Sequence, residues 1–259
     1  MFNRRHILLG LTALLTSCSH VPLKTDQQIV VFSSGGFFAA YDKLAPEFEK
    51  ETGITLITHK GSSSGGAIDS IPERLKRGEY ADVVILSENG FKNIAAQGHV
   101  FETTRTDLVR SKIGMSVKEG AAIPDISTPE KFAAVLRQAS SIGYSASASG
   151  RYLSTKLWPK IGIWPEIQGK SEKILSERVA AVVARGDLEI GFQQISEILP
   201  IPGASYAGPI PEDYQKVTVF TSGATTKGDK DLALRLISYL SDPVNADTIE
   251  KVGLEPINK

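Results

Sequence analysis

The stretch Ile29-Val30-Val31-Phe32-Ser33-Ser34-Gly35-Gly36-Phe37-Phe38 decides how this chain folds. A β-branched apolar run ends in two serines and two glycines. Apolar residues at helical spacing then follow, at Phe38, Tyr41, Leu44, Ala45 and Phe48. The pattern predicts a strand, a tight turn and a helix N-terminus. The first turn of a helix leaves backbone N–H groups without partners and carries the positive end of the dipole. Serine hydroxyls add donors, and glycine lets a ligand come close to the backbone, so the junction is shaped for an anion.

The same device recurs twice. His59-Lys60-Gly61-Ser62-Ser63-Ser64-Gly65-Gly66 follows a strand at Ile54–Thr58 and precedes a helix expected over residues 67–77. Ser145-Ala146-Ser147-Ala148-Ser149-Gly150-Arg151-Tyr152 follows the short strand 141–144 and runs into a helix ending near Trp158-Pro159. Further strands are expected at residues 81–86, 188–192 and 217–220, with helices at residues 177–185, 232–240 and 244–252. Pro46 should kink or restart the first helix, and Gly53 should end it. Alternating strands and helices predict an α/β protein with mostly parallel sheets. Three ligand-shaped turns in two halves predict two lobes facing across a cleft, with the ligand beyond the carboxyl ends of the strands. The first lobe is expected to hold residues 27–108 and 222–259, and the second residues 109–221.

The chain has 259 residues, 41% hydrophobic and 22% charged, with a formal net charge of zero. That balance shows neither the basic excess of a nucleic-acid binder nor an acidic tail. Its first residues form a basic segment, Met1-Phe2-Asn3-Arg4-Arg5-His6, and a nine-residue apolar run to Leu15, too short to span a bilayer but right for a signal peptide. Leu15-Thr16-Ser17-Cys18 resembles a lipoprotein cleavage box. Residues 1–18 are therefore expected to be an export signal and 19–26 a tether, placing the mature protein in the periplasm, with membrane attachment only through a lipid on Cys18. Cys18 is the sole cysteine, so an intramolecular disulfide and a metal–thiolate site are both excluded.

Gly61-Ser62-Ser63-Ser64-Gly65 matches the nucleophile elbow of serine hydrolases, but that fold needs a late histidine and none follows His99. No histidines and carboxylates have metal-ligand spacing, so neither a metal nor a cofactor is expected. The fixed charges near the expected cleft are Lys60, Glu88, Arg110 and Arg151. Arg151 stands in the first turn of its helix, where a cation opposes the dipole by about 0.3 kcal/mol or more, a placement that suits a bound anion.

The mature chain resembles, almost end to end, the extracellular solute-binding proteins related to periplasmic molybdate binders. The shared pieces are VFSSGGF, GSSSGG followed by GEYADVVIL, YSASASGRY, VAAVVARGDLEIGF and YLSDPVNADTIEKVGL. The resemblance implies a two-lobed type II periplasmic-binding-protein fold with a ligand clamped between the lobes. Carried over by position, its oxyanion site falls on Ser33 or Ser34 with Gly35, on Ser62 or Ser63, on Ser147-Ala148 and near Val179. A tyrosine in the molybdate binders falls on Gln194 here. Molybdate sites of this type use neutral donors, whereas Arg110, Arg151 and Lys60 suit carboxylates, each charge-assisted bond contributing about 1.5–3 kcal/mol.

One branch of this family, the periplasmic aconitate isomerases, looks closer still. It implies interconversion of trans- and cis-aconitate, a tricarboxylate, by allylic proton transfer. The other expectation is a receptor that hands a small anion to an ABC permease. For the proton-transfer residue, His59 and Glu88 are the ionisable groups near strand ends: His59 has the better intrinsic pKa, and Glu88 needs raising by burial.

Overall fold

A computed structural model describes residues 27–258 except Gly65. The expected signal peptide, Cys18 and the whole of the tether lie outside these residues. The chain runs β1 (Gln28–Ser33), α1 (Gly35–Thr52), β2 (Thr55–Lys60), α2 (Ile71–Lys76), β3 (Val83–Ser87), α3 (Glu88–Ala96), β4 (Thr106–Ser111), β5 (Ile113–Lys118), α4 (Pro129–Gln138), β6 (Ile142–Ser145) and α5 (Ala148–Tyr152). It continues through α6 (Trp158–Lys160), α7 (Trp164–Ile167), β7 (Ser171–Ile174), α8 (Val179–Arg185), β8 (Ile190–Gln194), α9 (Ile195–Ile198), β9 (Ala204–Pro209), β10 (Thr218–Ala224), α10 (Lys230–Leu240), α11 (Ala246–Lys251) and β11 (Glu255–Pro256).

The strands form two sheets. One has the order β11-β4-β10-β3-β1-β2 and the other β7-β6-β8-β5-β9. The backbone crosses between them at Lys112, where β4 passes into β5, and again through residues 210–217, between β9 and β10. Within each sheet the strands joined by helical crossovers are parallel: β1 with β2 and β3, and β6 with β7 and β8. The strands beside the crossings pair antiparallel, β10 with β3 and β4, and β5 with β8 and β9. The sheets are thus mixed rather than mostly parallel, because a strand entering a lobe straight from the other sheet needs no helical crossover.

Each sheet carries its own core. Phe37, Tyr41, Leu44 and Phe48 of α1 pack with Ile29, Val31, Val83 and Ile85 of β1 and β3. In the second lobe Trp158 is fully buried, stacked on Trp164 at 5.7 Å between ring centroids and met edge-on by Tyr144 at 5.4 Å. Contrary to expectation, α1 runs unbroken through Pro46. Pro46 is exposed, so the carbonyl that loses its N–H partner faces water while the buried stripe on the opposite side still holds the helix to the sheet. Gly53 ends α1 as its left-handed C-cap, at φ 70°. No helix among the described residues is long and apolar enough to cross a membrane.

Candidate functional site

The carboxyl ends of β1, β2 and β3 face those of β6, β7 and β8 across the gap between the lobes. Three cavities line this gap, of about 550, 430 and 150 Å³. Ser64 and Arg151 border both the first and the second, and Ala146 and Leu175 both the second and the third, so they form one trench.

The opening Ser/Gly turn sits at the 150 Å³ end. Ser34 is the N-cap of the 18-residue α1, yet its side chain makes no capping bond, and its Oγ is buried without a hydrogen-bond partner among the described residues. An orphaned buried hydroxyl costs about 1–3 kcal/mol, and one placed at a helix N-terminus is a ready donor to an anion. Ser33 differs: its hydroxyl is fully buried and turned to the Ser34 carbonyl at 3.4 Å. Gly35, Ser62 and Ser147 line the same cavity. Ser147 begins α5 with no side-chain capping bond, and the Ser62 hydroxyl donates to the Ser64 carbonyl at 2.8 Å. Ser63 lines the 550 Å³ cavity, its Oγ accepting the Ser87 N–H at 2.9 Å. The second junction differs from the sequence reading, since helix begins only at Ile71 and a loop carries residues 61–70. Ser70 and Pro72 supply the helix start that Ala67 lacks.

Val179 opens α8, but its side chain is fully buried in the core, so only its backbone can face a ligand. Gln194 is buried; its Nε2 donates to Thr218 Oγ1 at 3.1 Å, and its Oε1 has no partner among the described residues. Arg151 borders both larger cavities and has no ion-pair partner among the described residues. Arg110 lies away from the trench, with its half-exposed guanidinium 3.3 Å from Glu255 on neighbouring β11.

Both expected proton-transfer residues are displaced from that role. His59 is exposed on edge strand β2, its ring meeting Phe32 edge-on at 5.6 Å, and it lines none of the three cavities. Glu88 does line the 550 Å³ cavity, but Lys92 at 2.7 Å and Arg105 at 3.2 Å hold it. The hydrogen bond from Lys92, and after it that from Arg105, outweighs burial and keeps its pKa below the usual carboxylate value. A carboxylate so stabilised is a poor base for a carbon acid.

Sequence reasoning missed several charged residues here, among them Arg178 and Glu197, both lining the 150 Å³ cavity. Glu197 is packed mostly against protein, and burial raises its pKa although Arg178 and the Gln194 N–H pull it down. The available signal was Gln194-x-x-Glu197, an N-cap followed by an acid three residues on, which reads as helix capping. Lys60, Lys156, Lys173 and Lys216 complete the cationic lining. None of these lysines, nor Arg178, makes an ion pair among the described residues; Lys60 instead lies 3.7 Å above the Phe38 ring, and Lys216 5.5 Å above that of Tyr152. Among the described residues no cluster of His, Cys, Asp and Glu could hold a metal ion.

Two α/β lobes with a trench of serines, helix starts and unpaired cations between them define an anion-binding cleft protein. The chain belongs to the bacterial extracellular solute-binding protein family, whose model matches residues 29–255. It is 38% identical to an aconitate isomerase of Pseudomonas sp over 258 residues, 99% of this chain and 98% of the relative. The molybdate-binding protein ModA of Escherichia coli (strain K12) is 20% identical over 89% of this chain and 90% of its own length. Among solved structures, the periplasmic molybdate-binding protein of Azotobacter vinelandii superposes with a TM-score of 0.71 at 19% identity, covering 87% of this chain and 98% of that one.

Proposed function

We propose that this chain is an aconitate isomerase that interconverts trans- and cis-aconitate without a cofactor. The observation that carries the reading is its near-complete alignment, at 38% identity, with a relative of that activity. The trench chemistry agrees. Six cations that make no ion pair among the described residues line it, Arg151, Arg178, Lys60, Lys156, Lys173 and Lys216, as a tricarboxylate requires and a neutral-donor oxyanion site does not. The reaction breaks a C–H bond at the methylene carbon, moves the double bond by one carbon and forms a C–H bond at the far allylic carbon. The two crossings, at Lys112 and residues 210–217, serve as the hinge between the lobes.

Purified mature protein incubated with trans-aconitate should convert it steadily to cis-aconitate, followed by NMR. The family and the similarity to a molybdate-binding protein favour the alternative, a receptor delivering the anion to an ABC permease. Ligand-dependent thermal stabilisation with no turnover decides for that alternative.

The mature protein works in the periplasm, tethered by a lipid on Cys18. Its mass should correspond to a chain beginning at Cys18 plus the lipid; an intact Met1 or an unmodified Cys18 refutes the tether.

A further inference from the structure

We infer that Glu197 is the group that takes and returns the proton as the double bond migrates, its carboxylate standing in the interlobe cavity against Gly35 at the start of α1. This rests on the isomerase reading and names the residue that reading requires.

The position is specific. Ser196 and Glu197 lie on α9, directly after β8, whose last residues are Gln193 and Gln194. The Ser196 hydroxyl donates to the Gly36 carbonyl at 2.7 Å, tying α9 of one lobe to the first turn of α1 in the other. Glu197 is thereby held beside the turn that carries the orphaned Ser34 hydroxyl. A Cβ on Gly35 would overlap Glu197 Oε1, so the absence of a side chain at 35 is what lets the carboxylate reach the helix start. Ser62, Ser147 and Arg178 line the same cavity and are placed to hold substrate carboxylates.

The other ionisable groups of the trench are less suited. Glu88 is neutralised by two cations, and Glu177 is committed to Arg185 at 2.8 Å. Lysines and arginines serve better as fixed positive charges. Asp69 lines the cavity as well and is the competing carboxylate. Arg178 and the Gln194 N–H favour the ionised form of Glu197, and Lys60, Asp69 and Glu177 are the other charged groups that line the cavity. Burial prevails and raises its affinity for the proton, which suits a group that must hold the proton between the two carbons.

The step balances within the site. Glu197 accepts the methylene proton, and the C–H electron pair enters the allylic system and spreads onto the adjoining carboxylate. The far allylic carbon then takes the proton from the Glu197 carboxylic acid, leaving the base as it began.

The test is Glu197→Gln, with Glu197→Asp and Gly35→Ala beside it. We expect Glu197→Gln to keep its thermal stabilisation by trans-aconitate while kcat falls on the order of 10²- to 10⁴-fold. Deuterium uptake into aconitate from D2O should fall with it. Glu197→Asp should retain more activity than the glutamine variant and move the acid limb of the kcat/KM profile, which reports the free enzyme and which in the parent should lie above 4.5, the ordinary glutamate value. A purely structural role would move neither. Should Glu197→Gln fail to fold, Gly35→Ala decides: its new methyl group meets only the end of a flexible side chain, so it should fold and turn over slowly. An active parent with undiminished kcat in the folded glutamine or Gly35→Ala variant overturns the assignment, above all if Asp69→Asn abolishes turnover. A parent that binds but never isomerises instead overturns the isomerase reading itself.

Discussion

Gly150→Ala is expected to destabilise the fold by about 3 kcal/mol and, with it, to erase stabilisation by an anionic ligand. A Cβ at this position would overlap the carbonyl oxygen of Ser145 and sit 2.7 Å from that residue's backbone nitrogen and carbon. The obstacle is main chain at the end of β6, so it cannot swing aside as a flexible side chain would. Gly150 lies between Ser147, which starts α5, and Arg151, and the first turn of this helix is what presents both to the trench. Relief would lift that turn off the strand and move both residues together. For a chain of this size the loss is roughly 6–12 °C in melting temperature, at ~2–4 °C per kcal/mol. Thermal melts with and without trans-aconitate measure both effects. Gly169→Ala is the control, since a Cβ there meets nothing within 4 Å, and its melting temperature should match the parent's. A Gly150→Ala protein that melts with the parent and is still stabilised by the ligand would show that the close approach is not required.

How far the sequence reveals this protein depends on how local each signal is. The three Ser/Gly turns after strands are local, and two of them stand at helix starts facing the gap. The second is legible only in part. Ala67 and Ile68 read as the beginning of an apolar helix, yet Ile68 is 78% exposed and the first helical residue is Ile71. His59 shows a different obstacle: nothing in its neighbours says that β2 is the edge of its sheet, and only pairing with β1 on one side leaves that ring exposed. Arg110 and Glu255 are 145 residues apart, so no pattern could reveal that strand pairing sets them side by side. Glu197 was hidden by a bland alternative, because an acid in the first turn of a helix is common for its own sake. Only α9 docking on α1 brings it to the anion site. Residues that a ligand would meet are legible where one turn makes the site, and hidden where two lobes make it.

Arg151→Ala should weaken aconitate binding by about 10- to 100-fold while leaving kcat within a few-fold of the parent. Arg151 borders the two larger cavities, is exposed to them, and has no carboxylate of its own among the described residues. A charge-assisted hydrogen bond contributes about 1.5–3 kcal/mol, and every 1.4 kcal/mol is tenfold in affinity. The small effect on kcat follows from role. The arginine grips a carboxylate in both ground state and transition state, so its loss appears in KM rather than in the chemical step. Arg151→Lys separates charge from geometry, because an ammonium keeps the attraction and loses the two-pronged fit to a carboxylate. It should fall between the parent and the alanine variant. Arg110→Ala supplies the contrast: that side chain is paired with Glu255 outside the trench, and KM should stay at the parent's value. The weakening should also shrink as salt is raised, since screening removes part of the attraction from the parent. If Arg151→Ala keeps the parent's KM while Arg110→Ala raises it, the anion is held at the other side of the crossing strands, and the trench is not the site.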